Sequence, residues 1–198
     1  MRILVLAALA LMALPAASAL AQPEGGRQTA PEVAVPQTRE ERLDALFERL
    51  QTADNERAGK VAEEEILRTW LQSGSPTIDL LMQWTLTAMD EENYPLALDF
   101  LDRITSIEPD YVEGWNKRAT IHYLNDEYGK SLADIERALA LEPRHFGALA
   151  GLGTILRELG DEERALAAYR QALAYDPYME HVQEAIDELS AEGEGQGI

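Results

Sequence analysis

Chemistry in this chain would have to start from three histidines, His122, His145 and His181. A metal centre or an acid–base pair needs two imidazoles close together with carboxylates at hand, and no two of these share a metal-binding spacing. The chain has no cysteine, which excludes thiolate ligands, disulfides and the acylated cysteine of a lipoprotein anchor. Glu63-Glu64-Glu65 reads as a solvated helix face rather than a cation site. No nucleophile motif, phosphate loop or paired-carboxylate signature stands out. Neither a metal site nor a cofactor is expected. An enzyme would be an envelope hydrolase or a metal-dependent enzyme with His122 or His145 as its base. Arg144-His145-Phe146-Gly147 combines a cation, an imidazole and a ring, which suits either a ligand anchor or a tie for a loop.

The elements that must position these groups are announced by three prolines. Pro109, Pro143 and Pro177 stand 34 residues apart and close the phrases Ile-Glu-Pro, Leu-Glu-Pro and Tyr-Asp-Pro. Such a period marks stacked supersecondary units, none able to bury its apolar face alone. Set in register, residues 78–111, 112–145 and 146–179 align without gaps. Leu81, Trp115 and Leu149 share one column, Thr85, Ala119 and Gly153 another, and Ala97, Ser131 and Ala165 a third. Large and small residues alternating at helical spacing suit two interlocked antiparallel helices per unit. Asn93-Tyr94, Asp126-Glu127 and Gly160-Asp161 supply the turns, and each proline stops a helix.

Outside the three units, Leu43, Leu46, Phe47 and Leu50, then Ala58, Ala62, Ile66 and Trp70, recur at helical spacing. They predict a helix pair over 39–76, a degenerate further repeat closed by Ser73-Gly74-Ser75-Pro76-Thr77. Val182, Ile186 and Leu189 predict a capping helix over 180–190, followed by a disordered tail, 191–198, rich in Gly and Glu. Residues 22–38, with Pro23, Gly25, Gly26, Pro31 and Pro36, are expected to form a disordered linker. At the start, Met1-Arg2, the apolar run from Ile3 to Leu14, Pro15 and the small residues Ala16 to Ala21 have the three parts of a secretory leader. Residues 1–21 are therefore expected to be a signal peptide, cut after Ala21 or after Ala19. That implies a periplasmic protein with no stable membrane anchor after cleavage.

With 17 basic and 36 acidic residues the formal charge is −19. The charge disfavours nucleic acid and anionic membrane as partners, because both are bound by Lys and Arg. The acidity serves either to steer the chain toward a basic partner or to keep its helix faces soluble.

The repeat pattern resembles the tetratricopeptide repeat family. The resemblance implies an all-α, right-handed α-α superhelix, a solenoid of about three regular repeats between a degenerate N-terminal helix pair and a C-terminal capping helix. In that family the first helix of each repeat lines a concave groove that binds peptides or proteins. Carried over column by column, the groove residues are Met82, Gln83 and Met89, then Asn116, Lys117, Thr120 and Tyr123, then Arg157. Glu113, Gly147, Gly151 and Thr154 fall in the same columns. The small floor at Gly147 and Gly151 is either an open seat or is filled by the capping helix. A family subclass grips a chaperone's terminal carboxylate, and this chain departs from it at Met82, Leu86, Lys117, Gly147 and Gly151. Arg118 occupies a column otherwise holding Trp84 and Leu152, so it demands a partner. The family's pairing at these columns implies an Arg118–Asp134 salt bridge, structural in role like Trp115 and the prolines Pro109, Pro143 and Pro177. His122 stands where a packed aromatic is usual, which implies a core histidine.

The phrases from Ser73 to Thr77, from Trp115 to Thr120 and from Leu141 to Leu149 look like small exported repeat proteins of Gram-negative bacteria. The function implied is a non-catalytic scaffold or assembly factor that binds a protein or peptide. A homo-oligomer made by stacking repeat ends is a further reading.

Overall fold

The computed structural model describes residues 38–195. Among them are nine α-helices and no strand: α1 (Arg39–Gln51), α2 (Glu56–Leu71), α3 (Pro76–Asp90), α4 (Tyr94–Ile107), α5 (Val112–Leu124), α6 (Tyr128–Leu141), α7 (Phe146–Glu158), α8 (Glu162–Tyr175) and α9 (Glu180–Gly195). The expected leader, 1–21, and most of the expected linker lie outside the described residues. Thr38, placed in that linker, is already the N-cap of α1, in a reciprocal capping box with Glu41.

Three helix pairs, α3–α4, α5–α6 and α7–α8, repeat one design, and each pair's second helix packs on the helix that follows. Within each pair the turn contains one left-handed residue in the same column: Glu92 (φ 55°), Asp126 (φ 58°) and Gly160 (φ 77°). The next backbone N–H then bonds back to the carbonyl of Ala88, His122 or Leu156 at 2.8, 2.8 and 2.9 Å, which satisfies the helix end. At the repeat junctions Glu108, Glu142 and Asp176 cap α4, α6 and α8. The proline that follows each cap cannot extend the helix. Small residues let the paired helices approach. A Cβ on Gly153 would lie 2.5 Å from the Tyr169 ring, and Ser131 donates to the Ala119 carbonyl across the pair at 2.8 Å.

The capping helix is longer than the sequence suggests. It runs to Gly195, past the expected boundary at 190, so residues 191–195 belong to the helix and not to a tail. Its stripe of Val182, Ile186 and Leu189 is buried in a core shared with Leu149, Ala165, Tyr169 and Ala172. The opposite side shows Glu184, Asp187 and Glu188 to solvent.

The N-terminal pair is a hairpin of helices as expected, but it does not stack as a further repeat. α2 has no interface with α3 comparable to those of α4 with α5 or α6 with α7. The hairpin lies instead along the junctions between repeats. At the first junction Tyr111 donates from its hydroxyl to the Leu71 carbonyl (2.7 Å). At the second, Phe47 and Trp70 pack on Phe146, and Arg144 pairs with Asp44 at 2.6 Å. At the third, Gln51 donates to the carbonyls of Ala174 and Tyr175, and Lys60 donates to that of Tyr178. Gly59 gives the Tyr178 ring its place, since a Cβ there would lie 2.2 Å away. The register of the hairpin is thus set by aromatic side chains on the junction loops, not by the column residues that join repeats.

Asp176 is buried under this hairpin. Its Oδ1 accepts from the Tyr178 N–H at 3.0 Å, and its Oδ2 has no hydrogen-bond partner among the described residues. Burial, reinforced by nearby Glu63 and opposed by the Tyr178 N–H, pushes its carboxyl up to about 6. A raised carboxyl favours the protonated folded state, so its contribution is lost as pH rises from the ordinary carboxylate range through about 6. Asp176→Asn should therefore raise stability by about 1–2 kcal/mol at pH 8. The gain should vanish near pH 4; urea midpoints of parent and variant at the two pH values measure it.

Candidate functional site

The first helices of the second and third repeats, α5 and α7, flank a pocket of about 130 Å³ floored by α6. Ala119, Ile135, Ala148 and Ile155 make its apolar base, and Asn116, Thr120, Tyr123 and Thr154 its polar rim. The pocket exists because Gly147 and Gly151 place no side chain in it. A Cβ on Gly151 would come only to 3.7 Å from Ile135. No residue of α9 lines it, so this seat is not filled by the capping helix.

Of the residues carried over to the groove, Asn116, Thr120 and Tyr123 meet in this pocket. Gln83 and Met89 lie on α3 and do not reach it; Gln83 is exposed and Met89 packs against the first repeat's core. Met82 corrects the expectation. It is only 2% exposed and belongs to the core with Ile78, Leu101 and Ile121, so it presents no groove surface. Arg157 is half-buried and reaches across to α9, donating to Glu188 at 2.9 Å.

The organising group beneath the site is Glu113, which the column pattern assigns to the groove lining and the structure buries. One oxygen accepts from His145 Nε2 at 3.1 Å. The other accepts from Asn116 Nδ2 at 3.1 Å and lies 3.7 Å from the Lys117 ammonium. Burial alone would raise this carboxyl, but the hydrogen bond from His145, then the charge of Lys117 and the hydrogen bond from Asn116, hold it down at about 2. The amide and ammonium expected to meet a ligand are thereby oriented from below. The sequence marks Glu113 only as a groove column one helix turn before those two residues, and nothing in it signals the burial.

His145 is the N-cap of α7. Its Nδ1 accepts from the Ala148 N–H at 3.0 Å, which leaves the proton on Nε2 to donate to Glu113. Its ring stacks on Trp70 of α2 at 4.2 Å and 11°. Both nitrogens are used and the residue is buried, so His145 is held as a tie between elements rather than set out as a base. His122 is buried beside Asp134, with Nδ1 2.7 Å from Glu127. His181 is exposed on α9. Among the described residues no group of three or more His, Asp or Glu side chains could hold a metal ion.

The Arg118–Asp134 pair is present and bidentate, at 2.8 and 2.7 Å. Arg118 also donates to Asp102 and Thr105 of the preceding repeat and lies over the Trp115 ring at 4.7 Å. Trp115 in turn donates to the Pro109 carbonyl at 2.9 Å. One arginine therefore fastens two repeats, which accounts for a cation in a packing column. At the far end of the groove, Tyr123 and Tyr128 stack and both donate to Glu158 of α7. That hydrogen bond is the main cause pushing the Tyr123 phenol up to about 12.

Removing Glu113 leaves His145, Asn116 and Lys117 without their shared acceptor. Glu113→Ala should destabilise the chain by about 2–4 kcal/mol at neutral pH. A lowered carboxyl stabilises above its ordinary range and loses that contribution as pH falls through the folded value. The gap between parent and variant in thermal or urea melts should therefore narrow between about pH 5 and pH 2.

Comparison with known proteins agrees with this architecture. A family profile described as Tetratricopeptide repeat matches residues 146–179. A TPR repeat-containing protein of Rhizobium etli is 44% identical over 151 residues, covering 76% of this chain and 74% of that one. Among solved structures, the Sgt2 TPR domain of Aspergillus fumigatus superposes with TM-score 0.57 at 21% identity, over 61% of this chain and 81% of that one. MamA superposes with TM-score 0.56 at 19% identity, over 75% and 84%. The first TPR of Spaghetti (RPAP3), bound to the HSP90 peptide SRMEEVD, superposes with TM-score 0.56 at 17% identity, over 58% and 91%. The repeat geometry, the family profile and the Rhizobium relative agree: this chain belongs to the tetratricopeptide repeat family.

Proposed function

We propose that this chain is a non-catalytic interaction module of the bacterial envelope, a scaffold or assembly factor that holds a peptide or helical segment of another protein across α5 and α7. The observation that carries this reading is the pocket left by Gly147 and Gly151, an apolar seat with a polar rim that α9 does not enter. Its volume of about 130 Å³ suits one aliphatic side chain. Asn116, held by Glu113, and Thr120 stand beside it to meet the backbone of that segment. Small apolar clefts with few fixed polar groups are the usual form of a specific seat.

A terminal carboxylate is not the favoured ligand, although a related domain is described with a chaperone peptide. Lys117 faces Glu113 and Arg157 faces Glu188, so both cations of the expected groove already have carboxylate neighbours. With a formal charge of −19, the chain favours a basic partner on approach. The envelope address is supported by the leader pattern of residues 1–21.

Gly151→Leu fills the seat from within while replacing a poor helix former with a good one. Capture from an envelope extract should yield a partner that is lost with Gly151→Leu and with Asn116→Ala/Lys117→Ala, while circular dichroism and melting show a folded chain. The same proteins captured by parent and folded variants would remove the pocket from the function. The address has its own readout: chain recovered from the envelope fraction should begin at Gln22 or Leu20, and a chain beginning at Met1 in the cytosol would remove the export reading.

A further inference from the structure

The first repeat carries a stacking face that no repeat covers. In the later repeats, the third and seventh columns face the second helix of the repeat before. Gly114 lies against Ile104 and Thr105 of α4, Arg118 reaches Asp102 and Thr105 of the same helix, and Ala148 is buried in the core of the second repeat. In the first repeat these columns hold Leu80 and Trp84, which are 44% and 47% exposed because the α1–α2 hairpin is docked along the junction loops instead of on α3. On α4, Leu96, Phe100, Arg103 and Ile107 follow one another at i, i+4, i+7 and i+11, a single stripe of the helix. Leu96 and Ile107 are 39% and 60% exposed, and Phe100 meets Trp84 at 5.7 Å, joining the two helices' stripes. A lone exposed apolar residue is ordinary, whereas a contiguous patch marks an interaction surface.

Two properties say what covers it. The opposite end of the solenoid is closed by α9, whose outer side shows Glu184, Asp187 and Glu188. Head-to-tail stacking would press those carboxylates onto Leu80 and Trp84 and leave them desolvated. The patch is, by contrast, complementary to itself. Along α4 it reads Leu96, Asp99, Phe100, Arg103, Ile107, so an antiparallel second α4 sets Leu96 against the second copy's Ile107 and Asp99 against its Arg103. Phe100 then lies beneath that guanidinium, a favoured position for a cation over a ring. Asp99 and Arg103 are both exposed, and neither has an ion-pair partner among the described residues.

We infer that this end face is a homodimer interface, in which α3 and α4 of two copies pack across a two-fold axis. Such an interface is isologous and closes on itself, so it gives a dimer and not a fibre. It leaves the pocket between α5 and α7 uncovered in both copies. The dimer therefore offers two seats to a partner that carries two segments, and the second engagement becomes intramolecular.

Sedimentation equilibrium on the full chain and three variants tests this. The parent should show a monomer–dimer equilibrium. Trp84→Glu should be monomeric with unchanged circular dichroism. Arg103→Asp sets like charges opposite each other and should dimerise about tenfold more weakly. Asp99→Arg/Arg103→Asp exchanges both signs and should regain the parent constant, a result that only self-pairing across a two-fold produces. The charge variants alter exposed positions alone, so they carry the test if Trp84→Glu does not fold. A parent mass of one chain up to millimolar concentration overturns the inference, as does a double exchange that stays weak.

Discussion

A buried carboxylate, an imidazole and an indole in one line, Glu113, His145 and Trp70, hold this molecule's parts in place. They come from the second repeat, the junction before the third, and the N-terminal hairpin. A buried carboxylate is tolerated only when its oxygens are satisfied, and an unpaired one would cost several kcal/mol. The tautomer that caps α7 through Nδ1 is also the one that presents Nε2–H to Glu113. The stack on Trp70 then closes the imidazole from solvent. Helix capping, charge satisfaction and hairpin docking are thus one arrangement, and a change at any of the three residues disturbs the other two.

The same carboxylate gives the groove its polar order. Asn116 and Lys117 would be free rotamers on an exposed helix face, and ordering them on binding would cost about 0.5–1.5 kcal/mol each. Because Glu113 already engages both, part of that cost is met by folding. Specificity then falls to the seat beside them, whose depth comes from two missing side chains, Gly147 and Gly151.

Docking the hairpin on the junctions has a consequence at the other end of α3. In a regular array the helix pair before the first repeat would cover Leu80 and Trp84. Here the pair follows the aromatic surface of Phe146, Tyr175 and Tyr178. One edge of the solenoid gains a cover and one end loses it. The acidic side of α9 caps the far end, so the two ends differ in chemistry.

The repeats were legible because each column records a local demand: a proline after Glu108, Glu142 and Asp176, turn-forming residues between the paired helices, a small residue where a neighbouring helix approaches; the left-handed backbone at Glu92, Asp126 and Gly160 came from the structure. Arg118 was legible as a cation in a packing column that demands a counter-ion, and the resemblance to the repeat family named Asp134 as that counter-ion. Met82 was misplaced because a column states which way a residue faces in an average repeat, not how deeply this one sinks. The length of α9 was hidden because the Gly- and Glu-rich segment has no apolar stripe to mark a helix. The sequence by itself determined the period, the helices and the turns, since these rest on interactions between residues a few positions apart. Only the tertiary structure decided that Trp70 closes on His145, that Glu113 is buried, and that the hairpin leaves Trp84 uncovered. Those pairings join residues far apart in the chain, where no periodicity carries the information and only packing selects among the apolar surfaces available.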